Sequence, residues 1–224
     1  IKNSSVKNFI FSSSAGVYGN IKTAAKETMK TKPINYYAWT KLKSEILIKE
    51  YSKKYNFNYA ILRYFNVAGA SPGGKIGIMN KKNNSLFKIL AKQALKKKPV
   101  INIFGNKHKT KDGTCLRDFI HVSDLATIHL KALEVLNKKK KSFLINCGYG
   151  KGSSVLEIAT LFKKHINKST EIRFKEARKG EIVISYSNTD KMKKILNWKP
   201  KYNSLNYILK TAVNWQKKIN TKNE

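Results

Sequence analysis

Apolar residues along the chain alternate between short continuous runs and longer stretches with helical spacing. Residues 6–14, VKNFIFSSS, form a short apolar run that ends in serines, as expected for a buried parallel strand. Residues 36–55 place apolar side chains at helical spacing without a glycine or proline, and residues 57–66 form a second buried run. This order of elements predicts a right-handed βαβ unit and an α/β sheet.

The pattern changes after this first unit. A loop rich in Gly, Asn and Lys over residues 71–84 leads into a mixture of helices and short strands. Residues 109–125 read as a long loop in which Ser123 or Asp124 should cap the next helix. Helices are predicted over residues 85–98, 124–137, a segment from Ser153, 190–197 and 204–219, and strands over 100–105, 142–148 and 171–174.

The strong positive charge could indicate a nucleic-acid partner, but its makeup argues against one. The chain carries 46 basic and 13 acidic residues, a net charge of +33, and 42 of the basic residues are lysines. Proteins that read nucleic acids depend on arginine for bidentate and stacking contacts. Because the lysines are scattered over predicted helix faces, we expect a lysine-rich surface and no nucleic-acid role.

Cysteine usage and the length of apolar runs bear on location. Cys115 and Cys147 are far apart in sequence and lack a metal-ligand spacing, which is typical of structural thiols in a reduced cytoplasmic protein. No run approaches the roughly 18 apolar residues of a membrane span. We therefore expect no membrane partner. The four histidines also lack ligand spacing, so we expect no metal site.

Within the predicted helix over residues 36–55, Tyr37 precedes Lys41 by four residues. This spacing puts the phenol and the ammonium on one helix face, whereas Tyr36 has Thr40 at the same spacing. For an isolated Y-x-x-x-K, the ordinary interpretation is a lysine lying over an aromatic ring. The alternative is a tyrosinate base that a fixed positive charge favours.

Seven motifs that follow one another in fixed order distinguish these alternatives. The motifs are FSSSAGVYG (11–19), the Y-x-x-x-K pair (37–41), LRYFNVAGA (62–70), IFGN (103–106), TKDGTCLRDFIHVSDLA (110–126), NCGYGKGSSV (146–155) and ARKGE (177–181). Together they resemble the UDP-glucose 4-epimerase family of extended short-chain dehydrogenases, and the likeness runs from about residue 6 to the C-terminus.

This resemblance implies the C-terminal part of a Rossmann-type doubly wound parallel sheet with a smaller mixed α/β substrate-binding lobe. Residues 1–70 would be the remaining part of the NAD-binding domain. Residues 71–224 would be mainly the UDP-sugar-binding lobe, with segments that return to the sheet.

One feature of the family is absent from the sequence. The G-x-x-G-x-x-G turn, which cradles the NAD pyrophosphate, does not occur, and the glycine cluster at 148–152 has the wrong spacing. The chain also begins with Ile1 rather than Met. We therefore expect a truncated epimerase whose upstream segment, on the order of a hundred residues, holds the first strands of the sheet.

The resemblance assigns catalysis to Tyr37, Lys41 and Ser14, with NAD as the cofactor. Oxidising the sugar 4-hydroxyl to a ketone removes its stereochemistry and needs a base and a hydride acceptor. Tyr37 is the expected base, Lys41 favours its phenolate and holds the nicotinamide ribose, and Ser14 passes the proton. Further cofactor contacts are expected from Phe65 and Ser12.

The same resemblance places the UDP-sugar in the second lobe. Arg117 and Arg178 are expected at the diphosphate because planar guanidinium groups suit its oxygens better than ammonium groups do. Glu181 would bind the ribose hydroxyls, where an aspartate is more usual, and Ser185 would lie beside the C2 substituent of the sugar. The other expected substrate contacts are Ser14, Asn66, Ser85, which departs from the usual Asn or His, Leu86, Asn102 and Phe104.

Several alternatives stay open at this level. The resemblance also fits a UDP-sugar decarboxylase, a dTDP-glucose dehydratase or an epimerase for another nucleotide sugar. A dehydratase should carry an acidic pair next to the active-site serine, where this chain has Ala15 and Gly16. A basic, non-catalytic binding protein on a Rossmann scaffold is the alternative from another class. For an epimerase, the resemblance implies a homodimer formed through a helical bundle that includes residues 36–55.

Overall fold

The computed structural model describes residues 4–80, 82 and 84–221. The predicted loop over 71–84 and both predicted domains therefore include a few residues outside the described part. The helices are α1 (Tyr36–Tyr55), α2 (Leu86–Gln93), α3 (Val122–Lys139), α4 (Val155–His165), α5 (Asp190–Leu196) and α6 (Leu205–Asn220). The strands are β1 (Asn8–Ser14), β2 (Asn58–Tyr64), β3 (Asn66–Ala68), β4 (Val100–Phe104), β5 (Leu116–Arg117), β6 (Phe119–His121), β7 (Phe143–Cys147), β8 (Ser153–Ser154), β9 (Glu171–Lys175) and β10 (Ile184–Ser185).

The main sheet has the order β1-β2-β7, and both strand pairs are parallel. The helix α1 connects β1 to β2, so the predicted βαβ unit and α/β class are confirmed. The three strands end in register, with Ser14 opposite Tyr64 and Tyr64 opposite Cys147. Since carboxyl ends of parallel strands open onto the crevice of such sheets, these residues mark the edge where a site is expected.

Three smaller sheets continue from this edge. The strand β3 follows β2 after a single residue and pairs in parallel with β6. The pair β4-β9 is parallel, and β5 lies between the parallel β10 and the antiparallel β8. The predicted mixed α/β part is thus present, and β3 leads the chain directly from the main sheet into it.

Two apolar clusters hold these layers together. One joins α2, α4 and α6 to β4 and includes Leu90, Ile103 and Phe162. The other packs α3 and α5 against the main sheet around Leu62 and Ile145. These five side chains are at most 1% exposed, and burying each contributes about 1.5–3 kcal/mol.

The structure corrects the boundaries of several predicted elements. The run at 57–66 is interrupted at Phe65, which separates β2 from β3, and the helix predicted over 85–98 ends at Gln93. The predicted loop at 109–125 contains β5 and β6, and the two-residue strands β8 and β10 were not predicted.

The predicted cap of α3 is wrong. His121 is the N-cap, and its Nδ1 accepts a 3.1 Å hydrogen bond from the backbone N–H of Ser123. The carboxylate of Asp124 is instead buried and accepts from the hydroxyl of Tyr149 and from the N–H of Tyr202. His121 is 0% exposed and is thus a hydrogen-bonding residue of the core.

Cys115 and Cys147 are both buried and are not joined in a disulfide. Among the described residues, no helix combines the length and the apolar character that crossing a membrane requires.

Candidate active site

The Tyr37–Lys41 pair lies beside the carboxyl end of β1. Nζ of Lys41 donates a 2.9 Å hydrogen bond to the carbonyl oxygen of Ser12 and lies 5.7 Å from the centroid of the Tyr37 ring. The Tyr37 side chain is 60% exposed. The lysine therefore ties α1 to the strand and holds its positive charge beside a solvent-accessible phenol.

Ser14 ends β1 and caps the 3-10 turn that follows it. Its Oγ accepts a 3.1 Å hydrogen bond from the N–H of Gly16. A Cβ atom at Gly16 would lie 3.2 Å from the Cβ of Ala38, so the small residue lets the start of α1 approach the serine closely. The small residues after Ser14 thus serve packing between turn and helix.

A buried ion pair holds the same face of α1 against the sheet. Glu45 lies four residues, about one helical turn, after Lys41. It accepts hydrogen bonds of 2.9 Å and 2.6 Å from Nε and Nη2 of Arg63. It also accepts a 2.5 Å hydrogen bond from Oγ of Ser13, the neighbour of Arg63 across β1 and β2. Because Tyr37, Lys41 and Glu45 follow at intervals of four, this pair sets the position of the whole face. Arg63 therefore has a structural role.

A cavity of about 390 Å³ opens where β3, β4 and α2 meet. It is within the size range of small-molecule sites, and it brings together most residues that the family resemblance implies for the substrate. Its lining includes Phe65, Asn66, Ser85, Leu86, Asn102, Phe104, Arg117, Arg178 and Glu181.

A second cavity of about 290 Å³ adjoins it at the end of β1. Ser14 and Ser185 line this cavity, and Phe65, Asn66 and Arg117 line both. The two cavities therefore form one cleft that runs from the strand-end serine to the arginines.

The charged groups in the cleft are held in different ways. Nη1 of Arg117 donates to the carbonyl oxygens of Leu116 and Val183 at 2.9 Å and 3.2 Å, and its Nη2 lies 3.5 Å from Oε1 of Glu181. The guanidinium carbon of Arg178 lies 3.9 Å from the centroid of the Phe104 ring. Arg117 is thus fixed by backbone, whereas Arg178 stacks on an aromatic ring and presents the edge of its guanidinium.

Not every predicted site residue lies in this cleft. Ser12, Tyr37 and Lys41 are not among the residues that line either cavity. All three instead belong to the contact region between α1 and the exposed end of β1.

The cleft also contains residues that the sequence reasoning missed. Asn35 lines the second cavity and caps α1 through its Oδ1, which accepts a 2.8 Å hydrogen bond from the N–H of Ala38. Its position directly before a periodic run was a usable signal. Tyr64 also lines the second cavity. Its hydroxyl oxygen lies 2.9 Å from Nε2 of His129, and burial raises the pKa of the phenol.

The glycine cluster at 148–152 is a structural turn. The N–H groups of Tyr149 and Gly150 donate to the carboxylate of Asp118 at 2.9 Å and 3.0 Å, and the hydroxyl of Ser187 donates at 2.5 Å. Burial raises the pKa of Asp118, and these donors oppose the shift. Because the amide groups of this turn already have an anionic partner, it is not a phosphate cradle.

Comparison with known proteins identifies the family of this chain. A model of the NAD dependent epimerase/dehydratase family matches residues 1–148. The chain belongs to this family. Its resemblance to UDP-glucose 4-epimerases is confirmed by the enzyme of Azospirillum brasilense, which is 36% identical over 215 residues, covering 96% of this chain and 62% of the relative.

Two solved structures extend the comparison. The UDP-glucose 4-epimerase of Stenotrophomonas maltophila, with bound NAD and formylated UDP-arabinopyranose, superposes with a TM-score of 0.91 at 32% identity, over 97% of this chain and 65% of that one. The UDP-Glc/GlcNAc 4-epimerase of Campylobacter jejuni superposes with a TM-score of 0.77 at 40% identity, over 95% of this chain and 65% of that one. This chain therefore spans somewhat less than two thirds of these family members, and the predicted Rossmann-type fold is confirmed for the part it covers.

Proposed function

We propose that this chain is the larger part of an NAD-dependent nucleotide-sugar 4-epimerase that interconverts UDP-glucose and UDP-galactose through a transient 4-keto intermediate. The contact between Lys41 and Ser12 carries the proposal. It fixes an ammonium beside the Tyr37 phenol, at the strand end where Ser14 opens into an arginine-containing cleft.

The catalytic roles follow from this arrangement. Tyr37 takes the proton of the sugar 4-hydroxyl, directly or through Ser14, while Lys41 stabilises the phenolate. When bound, NAD supplies the hydride acceptor for C4 and the donor for the reverse transfer. The planar ketone can be reduced on either face, and return of the proton from Tyr37 gives either epimer.

Residues for the nicotinamide end of NAD are present in the chain. The Lys41 ammonium can donate to ribose hydroxyls, Ser12 and Tyr37 are exposed beside it, and Phe65 follows at the end of β2. These donors fit the ribose and nicotinamide, whereas the sequence offers no G-x-x-G-x-x-G turn for the pyrophosphate.

The cleft supplies the contacts for the nucleotide. Arg117 and Arg178 neutralise the diphosphate, and Glu181 accepts from the ribose hydroxyls. The remaining proposed contacts are Asn66 at the sugar, Ser85 and Leu86 along the nucleotide, and Asn102 and Phe104 at the uracil.

We infer that residues 1–70 belong to the NAD-binding domain and that residues 71–224 form mainly the substrate lobe. The return of β7 to the sheet of β1 and β2 supports a lobe whose segments rejoin that domain. We also propose a homodimer that forms through α1. This helix exposes large side chains, which packing against a partner subunit would cover. They include Tyr36, Trp39, Ile46, Leu47 and Tyr51.

The first test is conversion of UDP-galactose by a catalytically complete protein, meaning this chain joined to a segment with the G-x-x-G-x-x-G turn. Formation of UDP-glucose can be followed with a coupled dehydrogenase. A folded, NAD-loaded protein that leaves UDP-galactose unchanged would contradict the proposed substrate pair. Turnover of UDP-arabinose or UDP-glucuronic acid alone would instead favour an activity like that of the UDP-arabinose 4-epimerase of Arabidopsis thaliana or the UDP-glucuronic acid 4-epimerase of Bacillus cereus.

The chain of residues 1–224 should bind NAD weakly or not at all when it is expressed alone. The reason is that backbone N–H groups of a glycine turn provide most of the contacts to the pyrophosphate. Isothermal titration with NAD measures this directly, with the catalytically complete protein as the positive control. Tight binding by the chain alone would show that the cradle is not needed.

A wider substrate range is favoured by Ser185, which lines the cavity that contains Ser14. A serine leaves room for an N-acetyl group at C2 and offers it a hydroxyl. We therefore propose that the enzyme also interconverts UDP-GlcNAc and UDP-GalNAc, and the UDP-Glc/GlcNAc 4-epimerase of Campylobacter jejuni is a relative that is consistent with this.

Replacing Ser185 with Tyr should suppress turnover of the N-acetylated pair and spare UDP-glucose and UDP-galactose. A ring in a packed pocket excludes the larger substituent, whereas an unfilled pocket discriminates by only about 1–3 kcal/mol. The measurement is kcat/KM for both pairs, with Ser185→Ala as the control for loss of the hydroxyl. Undetectable turnover of UDP-GlcNAc by the unmodified enzyme would disprove the wider range.

A further inference from the structure

Three side chains with metal-binding atoms meet beside the cleft. His108 lies in the loop after β4, Cys115 directly precedes β5, and Glu181 lies in the loop after β9. Their ligand atoms are all within 4.8 Å of one another. Donors at ~2.0–2.3 Å from a tetrahedral zinc ion are roughly 3.3–3.8 Å apart, so side-chain shifts of about 1 Å would close the set around an ion.

Two of these side chains hold polar atoms that the protein leaves unpaired. Nε2 of His108 and Oε2 of Glu181 are shielded from solvent and have no hydrogen-bond partner in the described part of the chain. Such atoms are costly to bury unless something binds them. The imidazole reaches its position because residue 105 is a glycine, where any side chain would collide with the ring.

Charged groups lie beside the third side chain of the set. Cys115 is 1% exposed, and its thiol lies close to the side chains of Glu181 and Arg117. A carboxylate and a metal-bound thiolate would together carry two negative charges, against one positive charge on Arg117. Arg117 also contacts Oε1 of Glu181, and outer contacts of this kind orient metal ligands.

We propose that His108, Cys115 and Glu181 form a binding site for a divalent cation of the zinc class, with a fourth position for water. Thiolate and imidazole ligands select Zn²⁺ over Mg²⁺ and Ca²⁺, which prefer oxygen. His108 and Cys115 come from the loop between β4 and β5, and Glu181 comes from the loop after β9. Histidine spacing in the sequence therefore gave no sign of the set. The site rests on this geometry and not on the epimerase activity.

Co²⁺ and Zn²⁺ binding by the catalytically complete protein tests the site. The unmodified protein should take up a single Zn²⁺ in competition with a chromophoric chelator, and Co²⁺ should show a thiolate-to-metal charge-transfer absorption. Cys115→Ser should abolish that absorption, and His108→Gln should weaken Zn²⁺ binding by at least about tenfold. His165→Gln, at an exposed histidine on α4, and Cys147→Ala, at the other buried thiol, should leave both signals unchanged.

Two results would overturn the site. One is a Co²⁺ spectrum of the unmodified protein without thiolate absorption, which is decisive however the variants fold. The other is unchanged Zn²⁺ affinity in folded Cys115→Ser.

Glu181 is proposed both as a ligand of the ion and as a contact of the nucleotide ribose. Inhibition of the enzyme by the ion is therefore a second readout, which rests on the proposed function. Zn²⁺ should inhibit epimerisation, and Cys115→Ala should relieve the inhibition because its thiol does not line the cleft. Equal inhibition of both proteins would contradict the site. A protein without epimerase activity would refute the proposed function alone, since the cobalt spectrum still decides the metal site.

Discussion

Replacing Tyr37 with Phe should lower kcat of the catalytically complete protein by about 10²–10⁴, the usual contribution of general-base catalysis. The phenol is the group that accepts the proton of the sugar hydroxyl in the proposed mechanism. Because the side chain is 60% exposed, loss of its hydroxyl leaves no buried hydrogen-bonding group without a partner. The protein should therefore fold normally. Steady-state kinetics with UDP-galactose, together with circular dichroism, measure both parts of this expectation.

Tyr36→Phe is the matched control for this variant. Tyr36 is 79% exposed and adjacent in sequence, but its partner at helical spacing is Thr40, so the substitution should leave kcat nearly unchanged. Lys41→Met should reduce both the rate and the affinity for NAD. If Tyr37→Phe kept more than a tenth of the original kcat, Tyr37 would not be the base.

Replacing Arg63 with Met should reduce the free energy of unfolding by about 3–5 kcal/mol, because it leaves a buried carboxylate without its counter-charge. Arg63 is 3% exposed and Glu45 is 0% exposed, and two hydrogen bonds join them. The guanidinium also lies 4.7 Å from the centroid of the Tyr18 ring, so packing is lost as well. Urea denaturation of the catalytically complete protein gives the change directly.

The double variant Glu45→Met with Arg63→Met separates charge from packing. Replacing both members of a buried ion pair by apolar side chains is often neutral or stabilising, so much of the stability should return. At the exposed pair of Lys131 and Glu134, Glu134→Gln should have little effect because solvent screens such pairs. An Arg63→Met protein that unfolds at the original urea concentration would show that the buried pair does not hold α1.

Local patterns predicted the elements that depend on local interactions. The helix α1 has the predicted bounds of residues 36–55, because its spacing is uninterrupted and Asn35 supplies a cap. For α1 the information lies within a few residues of the chain. The cleft residues, of which Asn66, Arg117 and Glu181 line one cavity, followed instead from the resemblance to a known family, whose motifs are spread over most of the chain.

The errors occur where distant contacts override a local preference. The cap of α3 is His121 rather than Ser123 or Asp124, since the carboxylate of Asp124 is used by the N–H groups of Lys201 and Tyr202. The strand β10 has only two residues and exists because it pairs with β5, more than sixty positions earlier. No local signal marks such a strand.

The sequence by itself therefore determined the α/β class, the βαβ unit and the shared helix face of Tyr37 and Lys41, since these follow from short continuous apolar runs and from the 3.6-residue period of a helix. Only the tertiary structure placed Glu45 against Arg63 and Ser13, stacked Arg178 on Phe104, and gathered His108, Cys115 and Glu181. The members of these sets lie on elements that are far apart in the sequence, except His108 and Cys115, which share the loop between β4 and β5. Their meeting depends on which strands pair and in which register, and that is settled by long-range burial and backbone pairing rather than by any spacing along the chain.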